Sequence, residues 1–170
     1  MWVFDATPLI YLAKVDRLTL VQDLEVSCVI PEPVYEEVVT TGLEEGFPDA
    51  RRIERSVDAG QFDVVSVETT SLLSRLQTNE SLSDADAAVL ACASAHDGVA
   101  VMDETYGRDV AAAEGITTRG TAYLILKLAK AGTISGDDAR TVIDAMIDEG
   151  WYCAPDVYSK IVQTIESVSD

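Results

Sequence analysis

The sequence predicts an α/β fold in which helices cover both faces of a central parallel sheet of four to five strands. Short runs rich in β-branched and aromatic residues alternate with longer helical patterns through most of the chain. Such alternation is typical of parallel sheets, because a crossover, usually a helix, has to join each strand to the next. The last third carries helical patterns alone, so we expect the C-terminal part to be helical.

Five short runs predict the strands of this sheet. Residues of the types they contain fit the pleated surface of a buried strand. The runs are WVF before Asp5, VSCVI before Pro31, FDVVSV at 62–67, GVAVM before Asp103 and a weaker ITT at 116–118.

Helix signals lie between and after the strands. Pro33 suits an early helical position, where proline loses no hydrogen bond, and Ser83 suits the cap of a helix that stops at Gly98. The stretch 40–50, by contrast, predicts a flexible loop. Further helices are predicted over 49–60, 121–132, 135–150 and 154–170.

The size of the chain predicts one domain. At 170 residues with 48% hydrophobic content, it suits a single compact unit with a buried core. We therefore predict one domain over 1–170, with an α/β core over 1–118 and C-terminal helices over 119–170.

The net charge of −18, from 30 acidic and 12 basic side chains, excludes a nucleic-acid binder with a broad basic face. We interpret the surplus acid as the mark of a halophilic protein, since the screening length falls to roughly 3 Å at 1 M salt. An acidic protein of an ordinary cell is the alternative.

Five arginines are candidates for contacts with phosphate. Arginines 51, 52 and 55 predict either a solvated face or a phosphate contact, and Arg108 and Arg119 lie nearer the proposed cleft in sequence.

The cysteines and the N-terminus favour a cytoplasmic protein with no membrane partner. Cys28, Cys92 and Cys153 are far apart, which predicts neither a disulfide framework nor a cysteine-based metal site. The N-terminal apolar stretch is interrupted by Asp5, lacks a basic leader and is too short to span a bilayer.

Two aspartates, Asp5 and Asp103, directly follow predicted strands. In open parallel sheets, ligands bind beyond the carboxyl ends of the strands, where the strand order reverses. Clustered carboxylates repel one another unless a cation, a proton or water compensates their charge. Because oxygen ligands suit hard dications and the chain has one histidine, we predict a Mg²⁺ or Mn²⁺ site.

Two further acids are candidates for the same site. Glu36 or Glu37 enters a helix soon after the second strand, and Asp84 or Asp86 lies in the first turn of the helix after Ser83. For Asp86 a structural role competes, since Ser83 and an acid three residues later form a capping-box pattern.

Four short motifs follow one another along the chain. They are Asp5-Ala-Thr7, Pro31-x-x-Val34-x-x-Glu37, Leu82-Ser83-x-x-Asp86-Ala87 and the apolar strand that ends in Asp103. The residue types of these motifs and their order resemble the PIN-domain family of metal-dependent ribonucleases, which includes VapC-type toxins. The tail after Asp103 is similar to that of an uncharacterised archaeal and bacterial subgroup of the family. The resemblance favours Glu37 over Glu36 and Asp86 over Asp84.

This resemblance implies a three-layer α/β/α PIN-like fold and an endoribonuclease that hydrolyses RNA phosphodiesters. Its catalytic and metal-binding residues would be Asp5, Glu37, Asp86 and Asp103, with Mg²⁺ or Mn²⁺ as cofactor. It also implies a homodimer, and either an RNA-processing nuclease or a toxin with a small antitoxin partner. The alternatives are a non-enzymatic PIN-like interaction module and a receiver-like phosphoacceptor domain, in which Arg119 would stand where a lysine is expected.

Overall fold

The computed structural model describes residues 1–169, and its centre is a five-stranded, all-parallel sheet. All five predicted strands are present. The strands, in chain order, are β1 (Trp2–Phe4), β2 (Cys28–Pro31), β3 (Asp63–Val65), β4 (Val99–Val101) and β5 (Thr117–Arg119). Strand β1 matches its run, β2, β3 and β4 are a little shorter than theirs, and β5 begins one residue later than predicted.

The strands lie in the order β3-β2-β1-β4-β5. The chain therefore moves outward from β1 in one direction to β3, returns to β4 on the other side of β1, and ends at β5. Because crossovers between parallel strands are right-handed, the two directions place helices on opposite faces of the sheet. The α/β fold with helices flanking a parallel sheet is thus confirmed.

The same strand order excludes the receiver-like alternative. Receiver domains have the order 2-1-3-4-5, with the first strand next to the third. Here β1 pairs with β2 and with β4, and Val3 is in register with Val29 and with Ala100. The strand order therefore reverses between β1 and β4, and the crevice expected for a ligand lies at the carboxyl ends of these two strands.

Helices account for most of the remaining chain. After Ser83 and in the last third they agree with the predicted segments, while α1, α5 and α7 were not separately predicted. The helices are α1 (Ala6–Lys14), α2 (Glu32–Tyr35), α3 (Gly42–Glu44), α4 (Pro48–Asp58), α5 (Ser71–Gln77), α6 (Asp84–Ala95), α7 (Thr105–Ala113), α8 (Thr121–Lys130), α9 (Gly136–Asp148) and α10 (Pro155–Ser169), with a 3₁₀ segment at Leu18–Leu24.

The segment between α2 and α4 differs from the loop predicted over 40–50. A wider π-helical segment, Glu36–Thr41, joins α2 to α3, and only three residues separate α3 from α4. Gly42 allows this arrangement, because a Cβ atom at that position would lie 2.7 Å from the Cβ of Ala50 in α4. The close contact between the two helical segments makes most of this stretch helical.

The core lies on both faces of β1, whose residues are all buried. Phe4 packs edge-to-face against Phe62 beside β3, with 5.1 Å between the ring centroids. At the C-terminus, α10 packs on α8 and α9 and buries Ile161 and Ile165, while Val157 stays partly exposed. None of the helices within residues 1–169 is both long and apolar enough to cross a bilayer.

We expect Phe4→Ala to lower the free energy of unfolding by about 3–5 kcal/mol, because it leaves a cavity at the centre of the sheet. Phe47→Ala is the matched control, since Phe47 is 51% exposed, and its effect should stay within about 0.5 kcal/mol. Urea denaturation in KCl measures both changes. Equal losses would contradict the assignment of the core.

Candidate active site at the carboxyl edge of the sheet

Asp5 is a buried acid at the carboxyl end of the central strand. Its backbone N–H donates to the carbonyl oxygen of Val101 at 3.0 Å, which continues the pairing of β1 with β4 by one residue. The residue is only 6% exposed. Burial raises the pKa of Asp5 from its ordinary 3.8 to about 8, and the negative charge of Asp86 is the next largest cause.

Asp86 reaches Asp5 from the first turn of α6. Besides its charge, a side-chain hydrogen bond with Asp86 raises the pKa of Asp5, which is the arrangement expected when two carboxyl groups share a proton. The predicted capping box is also present. The Asp86 N–H donates to the Ser83 hydroxyl at 3.0 Å, and the Ser83 N–H donates to Asp86 Oδ2 at 3.4 Å.

Glu37 completes the group, here called the acid cluster, of Asp5, Glu37 and Asp86. It lies in the π-helical segment after β2, and such segments occur frequently at functional sites. Its side chain is exposed as a whole, yet partial desolvation of the carboxyl group raises its pKa, with a smaller contribution from the charge of Asp86. Glu37 in turn raises the pKa of Asp5.

Asp103 lies at the same edge of the sheet but is held in another direction. It stands two residues beyond Val101, and its carboxylate accepts three hydrogen bonds. The Thr121 N–H donates to Oδ1 at 2.8 Å, while the Thr121 hydroxyl and the Trp151 indole N–H donate to Oδ2 at 2.7 and 3.1 Å. A carboxylate offers about four acceptor positions, so roughly one remains free on Asp103.

The structure therefore brings three of the four predicted acids close enough to interact through their charges and sets the fourth, Asp103, just beyond the end of the neighbouring strand. The alternative acids Glu36 and Asp84 are exposed. Within residues 1–169, no three His, Cys, Asp or Glu side chains form a ready-made metal-binding group. Within the acid cluster, Asp5 and Asp86 share a side-chain hydrogen bond, and Glu37 interacts with both through its charge.

The chemistry of the donor set fits a hard dication held partly through water. The acid cluster offers oxygen atoms alone, and Mg²⁺ is usually bound by one or two carboxylates while keeping several waters. None of the ion pairs among the described residues includes Asp5, Glu37 or Asp86, so no basic side chain offsets their charge. Asp5 and Asp86 are the acids that could hold such an ion, and Glu37 interacts with both through its charge.

Sequence reasoning missed the partners of Asp103. Thr121 begins α8, 18 residues further along, and Trp151 is 48 residues away.

Two of the arginines predicted as possible phosphate contacts bind other groups of the protein. Arg51 pairs with Glu54, and Arg52 donates to the carbonyl oxygen of Ala13 at 2.8 Å. The structure assigns these two arginines to contacts within the protein.

An all-parallel sheet with acids at the reversal of its strand order defines a PIN-like α/β protein. A family model described as a PIN domain matches residues 1–167, and the chain belongs to the PIN-domain family. PIN domains are generally nucleases that use divalent metals.

Two further comparisons concern individual proteins. Among solved structures, the chain is similar to a domain of a functionally unknown protein from Methanocaldococcus jannaschii DSM 2661. The two share 15% identity over 70% of this chain and 89% of that chain, with a TM-score of 0.45. No curated protein matches the chain.

The raised pKa of Asp5 predicts how stability depends on pH without metal. Between about pH 4 and pH 8 the unfolded chain releases the Asp5 proton while the folded protein keeps it. Stability should therefore fall across this window, by on the order of 5 kcal/mol if Asp5 acted alone. Asp5→Asn should remove this fall, so the variant gains stability over the wild type as pH rises.

Urea denaturation at a series of pH values in chelator measures this dependence. Asp84→Asn is the matched control, because Asp84 is an exposed acid of the same helical turn as Asp86, and it should keep the wild-type slope. An Asp5→Asn slope equal to that of the wild type would contradict the buried, protonated state.

Proposed function

We propose that the protein is a divalent-metal-dependent endoribonuclease that hydrolyses RNA phosphodiesters. The observation that carries this proposal is the buried Asp5 carboxyl at the reversal point of the sheet, facing Asp86 and Glu37 without a basic partner. Membership of the PIN-domain family supports the same function. A buried acid beside two other acids lowers stability at neutral pH, which is the expected signature of a site built to receive cations.

A bound Mg²⁺ or Mn²⁺ supplies charge neutralisation at the scissile phosphate and activation of the attacking water. Asp5 and Asp86 would hold the ion, and the buried Asp5 would lose its proton when the ion binds. Glu37 is more exposed than Asp5, so it can contact water in the crevice. Its raised pKa brings the carboxylate closer to the operating pH, which suits the acceptance of a proton from that water.

Asp103 acts at the border of the site. Its three hydrogen bonds fix the carboxylate rigidly, and the remaining acceptor position can take a water or an ion at the end of β4. Thr121 and Trp151 are therefore positioning residues, because they act on the reaction through the orientation of Asp103.

A strongly acidic nuclease needs a way to approach RNA. Cations in the acid cluster offset its local charge, and high salt screens the repulsion of the remaining surface. Binding that relies on neutralising many phosphates weakens steeply with salt. We therefore propose that recognition in a saline cytoplasm depends on the metal site and on stacking, which favours single-stranded or loop RNA.

A non-enzymatic interaction module is the second candidate, and one observation favours it. Asp86 caps α6 and Asp103 anchors Thr121 and Trp151, so both acids have structural roles that need no ligand. Neither role accounts for Asp5, whose buried carboxyl receives only the Ala6 backbone hydrogen bond as a favourable partner of its charged form.

The nuclease proposal leaves two roles for the protein in the cell. It acts either in RNA processing or as a toxin whose small antitoxin partner covers the crevice. We also propose that it works as a homodimer. Both proposals rest on its resemblance to VapC-type proteins.

Cleavage of a labelled single-stranded RNA with Mn²⁺ in concentrated KCl tests the activity. We expect Asp5→Asn, Asp86→Asn and Glu37→Gln to lower the rate by about a hundredfold or more, because each removes a charged oxygen from the cluster. Glu36→Gln and Asp84→Asn are the matched controls and should retain activity. Cleavage that persists in Asp5→Asn would remove the acid cluster from the mechanism.

Metal binding has a readout independent of activity. Mn²⁺ should raise the melting temperature of the wild type more at pH 8 than at pH 5, since the ion displaces the protons that the cluster holds. Asp5→Asn should lose most of this response, whereas Asp84→Asn should keep it. A wild type that neither cleaves RNA nor responds to Mn²⁺ would favour the interaction module.

A further inference from the structure

A groove of about 630 Å³ opens on the Asp103 side of the crevice. It lies between the end of β4, the start of α7, the start of α8 and the segment 151–154 that leads into α10. Asp103 belongs both to this groove and to the carboxyl edge of the sheet, so the groove opens at the same edge as the acid cluster. The side chains that matter here are Asp103, Arg108, Arg119, Tyr123, Trp151 and Tyr152.

The charge of this groove is opposite to that of the protein. Two arginines line it against a single acid, Asp103, whose carboxylate is already hydrogen-bonded by three donors. Arg108 is exposed and forms no ion pair with any residue in 1–169. In a chain of net charge −18, an unpaired guanidinium over a concave surface is a place where an anion can bind.

The second guanidinium is held in place. Arg119 Nη1 donates to the carbonyl oxygen of Thr118 at 2.8 Å, and its central carbon lies 4.8 Å from the centre of the Tyr123 ring. This cation–π contact and the hydrogen bond fix the guanidinium at the wall of the groove. A fixed guanidinium loses little freedom when it binds phosphate.

Aromatic rings face solvent at the same groove. Tyr152 is 84% exposed and Tyr123 is 43% exposed, although exposed aromatic surface is unfavourable in water. Trp151 is buried beneath them and ties this segment to Asp103 through its indole N–H. Exposed rings next to arginines form the combination that stacks unpaired bases while binding their phosphates.

Gly120 keeps the groove open at its base. A Cβ atom at this position would lie 3.0 Å from Asp103 Oδ1 and 3.3 Å from Arg108 Nη1. Any larger residue would therefore press on the anchored carboxylate and on the free guanidinium. The glycine leaves both charged groups accessible from the groove.

We propose that this groove binds single-stranded RNA and leads the strand to the acid cluster. Arg108 and Arg119 bind phosphate, and Tyr152 stacks on a base next to it. Duplex RNA is a poor fit, because its bases are stacked on each other and present no free face to Tyr152. This assignment rests on the proposed nuclease function, which it extends to the strand beside the scissile phosphate.

Fluorescence anisotropy with a labelled oligo(U) 12-mer and Mn²⁺, over a series of KCl concentrations and in the Glu37→Gln background so that the strand is not cut, tests the groove separately from cleavage. Tyr152→Ala should weaken binding at least about fivefold with an unchanged salt slope, because it removes stacking. Arg108→Ala and Arg119→Ala should also weaken binding, and each should reduce the slope of log affinity against log salt by about 0.7. Phe47→Ala and Arg51→Ala, an exposed aromatic and an exposed arginine at α4, are the matched controls and should bind like the wild type.

Several outcomes would overturn the assignment. One is groove variants that bind oligo(U) as tightly as the controls do. Another is a poly-glutamate peptide that competes as well as unlabelled oligo(U), which would make the groove a docking site for acidic protein segments. The two proposals can fail separately. If the groove variants cleave RNA as fast as the wild type does, the groove proposal alone fails. If RNA binding depends on the groove but the wild type does not cleave RNA, the nuclease proposal alone fails.

Discussion

The burial of one carboxyl group at the end of the central strand is the constraint on which the site depends. Asp5 is fixed by its own backbone, because its N–H extends the pairing of β1 with β4. The side chain therefore enters the crevice, where it is buried and interacts with the charges of Asp86 and Glu37. A buried carboxyl group is tolerated as a neutral acid or beside a cation. The position of Asp5 at the end of β1 therefore requires either a proton or a metal ion at this site.

The strand order places a crevice next to the buried Asp5 side chain. The chain leaves β1 for β2 on one side and reaches β4 on the other, so the loops after β1 and β4 separate and open a space between them. Asp5 and Asp103 stand at the two sides of that opening. The acid cluster belongs to the β1 side, and the arginine-lined groove belongs to the β4 and β5 side. The acidic and the basic side of the crevice are thus separated by a single pair of strands.

Two of the acids also hold the structure together. Asp86 closes the capping box of α6, and Asp103 joins β4 to the first residue of α8 and to Trp151 before α10. Hydrogen bonds to a charged group contribute about 1.5–3 kcal/mol each, so these contacts rank among the stronger ones at this edge. The same bonds restrict how each carboxylate can turn, which is useful in a site that has to be arranged before its ligand arrives.

The sequence by itself determined the strands, most of the helices and the positions of the four acids along the chain. These features follow from local patterns, since strand runs, caps such as Ser83 and acids after apolar segments are visible within a few residues. The loop predicted over 40–50 was wrong because the contact of Gly42 with Ala50 is a packing feature that composition does not show. Only the tertiary structure decided that Asp103 faces Thr121 and Trp151, and that Arg108, Arg119 and Tyr152 share one groove. These contacts join residues that are far apart in the chain, and a side chain's direction across such a distance depends on how whole elements pack.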